Sequence, residues 1–284
     1  MRTDPEAASR RSSRWHRGRT FQAVVNTIVL ALIADPALAG SITIRNDVSA
    51  LAQGDRLTVT MRIVNSGDEA AHAVAAGASF GGQATRGPTQ PILVPGGRME
   101  ISLELPGRPT AAGQWPLAAT VDYTDANGYA FQALHVLLVS SVDASPALVA
   151  VVDVDARPLA TSSGVDVRLK SLSGLKRPTT INFFVPRGLE VDIASRPFSL
   201  EPWSDATVKA QIMNRTALPG SRYPVFVTVE YDDPEGHHAA LAQGTIEIRA
   251  ARAARGIWFF GAAATLTVVW LLIARRRSTA PPAA

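Results

Sequence analysis

Residues 115–130, WPLAATVDYTDANGYA, and residues 223–238, YPVFVTVEYDDPEGHH, carry one pattern 108 positions apart. Each opens on an aromatic residue followed by proline, alternates apolar and polar side chains, and closes on a turn-forming run. Alternation with period two is the signature of a strand with one buried face. Asn127-Gly128 favours a tight hairpin tip, and Pro234 and Gly236 suit a turn of a different kind. Each stretch therefore predicts a hairpin, and their recurrence predicts a duplicated β unit.

The repeat extends outward from this pair. LTVTMRIVNSG at residues 57–67 answers to VDVRLKSLSG at residues 165–174. ILVPGGRMEISLEL at residues 92–105 answers to FSLEPWSDATVKAQI at residues 198–212, with Pro95 opposite Pro202. Successive landmarks in register indicate a tandem duplication. Between residues 41 and 250 no run of ten or more keeps a helical period, and a unit of roughly 100 residues with about seven short strands suits an antiparallel β-sandwich. The units are placed at residues 41–142 and 143–250. The glycine-containing stretch GASFGGQATRG, residues 77–87, lacks the ending and the setting of a phosphate loop and reads as a long loop between strands.

Both ends have a different character. Residues 1–20 hold Arg2, Arg10, Arg11, Arg14, Arg17 and Arg19, followed by the apolar run FQAVVNTIVLALIA at residues 21–34 and by Pro36, Ala37 and Ala39. This order is that of an export signal, residues 1–39, cut after Ala39; an uncleaved anchor is the alternative. Ser9-Arg10-Arg11 is similar to a twin-arginine signal but lies ten positions before the apolar run. Residues 257–274 are uncharged and mostly apolar, with Arg255 before them and Arg275, Arg276 and Arg277 after, which predicts a transmembrane helix with residues 275–284 as a cytoplasmic tail. Small residues in GAAATL, residues 261–266, leave open a helix-mediated oligomer.

The expected location is the bacterial cytoplasmic membrane, single-pass, with the modules outside the cytoplasm. The formal charge of +4 then changes meaning. Residues 1–39 carry six arginines against Asp4, Glu6 and Asp35, and residues 275–277 add three more, which leaves the rest at about −2. The basic balance is thus a topology signal, and no nucleic-acid partner is expected. The chain has no cysteine, which excludes disulfides, thiolate catalysis and cysteine-ligated metals.

Asn65, Gly67, Pro95, Gly96, Gly113 and Trp115 stand in an order that resembles the bacterial immunoglobulin-like modules grouped as NEW3-like or CARDB-like; Gly174, Pro202, Gly220 and Tyr223 repeat much of it. Trp203 stands where the first copy has Gly96. The resemblance implies an all-β chain of two tandem immunoglobulin-like antiparallel β-sandwiches followed by the C-terminal transmembrane helix. It also implies an accessory or adhesive role at the cell envelope, and it transfers no catalytic residue.

Candidate sites are few. Asp232, Asp233, Glu235, His237 and His238 read as a polar turn at a hairpin end; a zinc or copper site is the alternative, although adjacent histidines on an extended strand point to opposite faces. Trp115 and Tyr223 read as core or end-cover residues. Trp203, in a turn, is the candidate exposed platform for a glycan. Asn214-Arg215-Thr216 matches a glycosylation acceptor. No hydrolase elbow or zinc-protease helix occurs, so no enzyme and no cofactor are expected. The leading expectation is a membrane-anchored, non-enzymatic interaction or scaffold protein with an envelope or membrane protein as partner. The alternatives are an accessory carbohydrate-binding protein and a periplasmic metal-delivery protein acting through His237-His238.

Overall fold

The computed structural model describes residues 41–53, 55–107, 112–140 and 144–250. The expected export signal, transmembrane helix and tail lie outside them. Among the described residues no helix is long and apolar enough to cross a membrane. The chain is all-β.

Seven strands come from the first half: β1 (Ile44–Gln53), β2 (Arg56–Asn65), β3 (Ala71–Phe80), β4 (Gln83–Leu93), β5 (Arg98–Pro106), β6 (Gln114–Thr124) and β7 (Ala130–Ser140). Eight follow: β8 (Val149–Ala156), β9 (Ser162–Ser171), β10 (Arg177–Phe184), β11 (Leu189–Val191), β12 (Ser195–Leu200), β13 (Asp205–Asn214), β14 (Arg222–Asp233) and β15 (Gly236–Glu247). They form four antiparallel sheets. Sheet I is β1-β2-β5, sheet II is β4-β3-β6-β7, sheet III is β12-β10-β14-β15 and sheet IV is β11-β13-β9-β8.

Alternation explains which faces are buried. Leu57, Val59, Met61 and Ile63 of β2 point inward at every second position and meet Leu117, Ala119 and Val121 of β6, which closes one core between sheets I and II. Val165, Val167 and Leu169 of β9 meet Val225, Val227 and Val229 of β14 in a second core between sheets III and IV. At about 1.5–3 kcal/mol for each large aliphatic side chain taken out of water, these two cores are the main stabilising term of the described chain.

Sheets II and III also pack on each other. Ala118 and Val136 from the first half and Phe226 from the second form a third apolar cluster, with Leu134, Phe184 and Leu241 around it. This contact buries both faces of β6 at residues 117–119 and of β14 at residues 225–229, where the sequence predicted strands with one buried face. The described residues from Ile42 onward belong to one compact unit.

The turns hold two further corrections. Residues 77–87 are not a long loop: β3 runs to Phe80, Gly81 and Gly82 turn the chain, and β4 begins at Gln83. The expected tight tip at Asn127-Gly128 is a wider loop, in which the Asp125 carboxylate accepts the backbone N–H groups of Asn127 and Tyr129, both at 2.9 Å. The tight tip belongs to the other copy, where Asp233 pairs with Gly236 and only Pro234 and Glu235 lie between. Asn65, by contrast, serves the turn expected of it. Fully buried, its side-chain amide donates to Glu69 O (2.7 Å) and Leu93 O (3.1 Å) and accepts from Gly67 N (3.1 Å).

Candidate functional site

Two adjacent regions at one end of the sheets hold the unusual chemistry. The first is the start of the β14–β15 hairpin arm. Pairing of Asp232 with His237 and of Tyr231 with His238 fixes which side chains share a face. His237 joins Glu230 and Asp232 on the face of sheet III turned toward sheet II, and His238 joins Tyr231 and Asp233 on the core face. Here the expected polar turn is corrected: the hairpin exists, but both histidines are in strand β15 and only 7% and 2% exposed. Register carries them inward because the two-residue turn ends before them.

On the core face, Asp233 binds Arg177 (Oδ2 to the guanidinium, 3.0 Å) and His238 (Oδ1 to Nε2, 2.8 Å), and it accepts the Glu235 N–H at 2.9 Å. Burial works against the carboxylate, but these three donors outweigh it and hold its pKa below the usual range. The Tyr231 ring stacks on His238 with centroids 4.7 Å apart and carries the Arg177 guanidinium at 4.7 Å. Its hydroxyl accepts the Leu148 N–H at 2.7 Å, which ties the linker into the second half.

On the opposite face, His237 lies flat on Trp115 of β6, ring centroids 3.8 Å apart and planes 16° apart. Asp232 Oδ1 is 2.8 Å from Nδ1, and Glu230 Oε2 is 3.3 Å from Nε2. The backbones meet at the same point. His237 N–H donates to Ala112 O at 2.9 Å, and Gly113 bridges His237 in parallel. A glycine on each side makes this approach possible. A Cβ on Gly113 (φ +137°) would fall 1.8 Å from His237 O, and one on Gly236 (φ +141°) would fall 2.1 Å from Ala112 O. At the far end of the interface Arg187 N–H donates to Gln132 Oε1 at 2.9 Å. There the Tyr123 phenol is pushed up to about 12, by burial first and then by the Tyr223 phenol.

The proposed metal ligands do not converge. Their histidines occupy opposite faces with separate carboxylates, Glu235 contributes its backbone to the turn, and no group of three or more ligating side chains suited to a metal occurs among the described residues. Glu230 and Arg177 were not singled out from the sequence, and Trp115, read there as a core or end-cover residue, was not connected with His237. Alternation of Thr228, Glu230 and Asp232 in VTVEYDD does carry the signal for a shared face, but nothing near Arg177 announces its partner.

The second region is the turn at residues 201–204. Trp203 is 71% exposed and has φ +51°, a left-handed conformation that costs a side-chain-bearing residue about 1–2 kcal/mol. Gly96 holds the equivalent place with φ +72°. Gly96 N–H donates to Asn65 O at 2.8 Å, and Trp203 N–H donates to Ser173 O at 3.0 Å. The duplication thus keeps the turn and replaces its glycine with an indole that lies over Gly174. Exposed Leu148, Leu172 and Leu175 flank this region, with Leu172 N–H donating to Leu148 O at 2.9 Å. Tyr223 is a core residue, as expected, and Trp115 packs on the first core while facing His237. The amide of Asn214 is engaged in its own turn, donating to Ala160 O (3.2 Å) and Ala217 O (3.0 Å).

No family model matches the chain, and no curated protein is significantly similar to it. Solved structures that the chain matches include an α-2-macroglobulin variant from Salmonella, at 14% identity and TM-score 0.31 over 74% of this chain and 16% of that one. The native α-2-macroglobulin of Escherichia coli gives 13% and 0.30 over 74% and 17%. Red sea bream transglutaminase gives 12% and 0.25 over 82% and 34%. The chain therefore spans less than a fifth of the macroglobulins it matches.

Proposed function

We propose that this chain is a membrane-anchored, non-enzymatic interaction protein of the bacterial cell envelope, built on two immunoglobulin-like modules that present one docked surface to a partner protein. The observation that carries this reading is the direction of the chain ends. β6 and β15 run the same way where Gly113 meets His237. The far end of β6 lies with Ile44, and the far end of β15 is Glu247. The chain enters and leaves the sheets at one end, whereas Trp203 and Leu175 stand at the other. A membrane anchor following residue 250 would then adjoin that end, with the exposed indole held away from it. A scaffold needs a fixed presentation, and the three stacked cores supply one.

A carbohydrate-binding role is the second reading, favoured by the exposed indole in a strained turn. Backbone strain retained at a surface aromatic is characteristic of recognition sites. One comparison separates these readings from a structural role. Trp203→Gly relieves the left-handed strain, so it is expected to leave the thermal midpoint unchanged or raise it by the equivalent of about 1 kcal/mol. The same variant of the full chain, purified in mild detergent, is expected to lose the partner that copurifies with the parent. Retention of that partner by Trp203→Gly would remove the tip from the account; a glycan array positive for the parent and blank for the variant would favour the second reading.

A further inference from the structure

His237 has a carboxylate at each ring nitrogen: Asp232 Oδ1 lies 2.8 Å from Nδ1, and Glu230 Oε2 lies 3.3 Å from Nε2. A neutral imidazole carries one N–H, so in either tautomer one nitrogen would aim its lone pair at an anion. Only the imidazolium suits both neighbours. Glu230 is not free to turn away, because Asn182 Nδ2 (2.6 Å) and Thr228 Oγ1 (2.5 Å) both donate to its Oε1.

The charged ring lies face to face with the Trp115 indole, a π face that attracts a cation. Trp115 belongs to the other half of the chain, and the His237 backbone N–H binds Ala112 of that half. Ring charge and contact between the halves thus meet in one residue. From β14 the charged groups facing it are Glu230 and Asp232. β10 offers the neutral Asn182, and the start of β6 offers Trp115 and the backbone of Ala112 and Gly113. His135 of β7 lies elsewhere in the interface, edge-on to Phe226 at 5.9 Å. Arg177, Asp233 and His238 occupy the core face of sheet III.

We propose that His237 is a proton-operated clasp between the two sandwiches. As an imidazolium it holds the start of β6 on the start of β15; deprotonated, it lets that end part while the apolar contact around Phe226 remains. The inference rests on the interface alone and stands apart from the anchored-scaffold reading.

The direction with pH follows. Burial opposes the imidazolium, but Glu230 and Asp232 outweigh it and raise the His237 pKa above the ordinary value of about 6.5. Burial likewise opposes the Glu230 carboxylate, and the His237 ring 3.3 Å away together with bonds from Thr228 and Asn182 outweighs it and lowers its pKa. The clasp is therefore fully present below about pH 6.5 and is lost as pH rises through the raised histidine value. It is lost at the acid end as pH falls through the depressed Glu230 value.

The chain has no native cysteine, so a labelled pair is unambiguous. L51C and V152C place spin labels on exposed positions, one in each half, of the full chain in detergent. At about pH 5.5 one narrow distance distribution is expected. As pH rises a second, longer population should grow, its midpoint above about 6.5 and its closed-to-open ratio falling about tenfold per pH unit. E230Q should move the midpoint down, H237Q should remove the pH response, and H238Q should leave the midpoint unmoved. A distribution unchanged across this range, or a response that survives in H237Q, overturns the clasp. If H237Q fails to fold, the parent titration and E230Q decide.

Discussion

Gly113→Ala is expected to destabilise the protein by roughly 2.5–4.5 kcal/mol, a loss few single methyl additions produce. The new Cβ would lie 1.8 Å from His237 O, so the two backbones must separate. Separation breaks the bond from His237 N–H to Ala112 O, worth about 1 kcal/mol net. It also breaks the Trp115–His237 stack, worth about 0.5–1.5 kcal/mol. Positive φ at an alanine adds about 1–2 kcal/mol. The control is Gly128→Ala, which has φ +80° but nothing within 4 Å of its Cβ, and should cost only the backbone strain. Equal losses from the two variants in urea denaturation would mean that the β6–β15 contact contributes nothing.

Asp233→Ala is the second large effect, about 3–5 kcal/mol, because it strands the Arg177 guanidinium and the His238 imidazole in a buried site. Most of the loss is the cost of partners left unpaired rather than of the bonds themselves. Asp153→Ala, which removes a more exposed pair with Arg168, should cost less than about 1 kcal/mol. Since Asp233 titrates below the usual carboxylate range, its contribution is present above about pH 4 and should fade as pH falls through the depressed value. A urea midpoint for Asp233→Ala as close to the parent as that of Asp153→Ala would refute the buried network.

Much of the fold could be read from residues, and the reason is periodicity. Leu57, Val59, Met61 and Ile63 announce a strand with a buried face, and Asn65 with Gly67 announces the turn after it. What local pattern could not supply was the contact between the halves. Phe226 and Ala118 fall on faces that alternation assigns to solvent, and they are buried because a second sheet covers them. Gly113 and Gly236 read as ordinary turn glycines until each is seen to admit the other strand's carbonyl. Site chemistry failed for a related reason. The residues of DDPEGHH look like one loop, whereas a two-residue turn throws alternate members onto opposite faces. Trp203 was legible because the repeat offered Gly96 for comparison, and only the φ value adds that the indole sits in a glycine's conformation.

The most direct measurement is the side of the membrane on which the sheets stand. The full-length V152C variant, expressed in cells whose outer cytoplasmic-membrane surface is accessible, carries a single exposed thiol for a membrane-impermeant maleimide. Labelling without lysis, with the protein retained in the membrane fraction, is the expected result. Labelling only after the membrane is opened would put residues 41–250 in the cytosol and contradict an envelope scaffold.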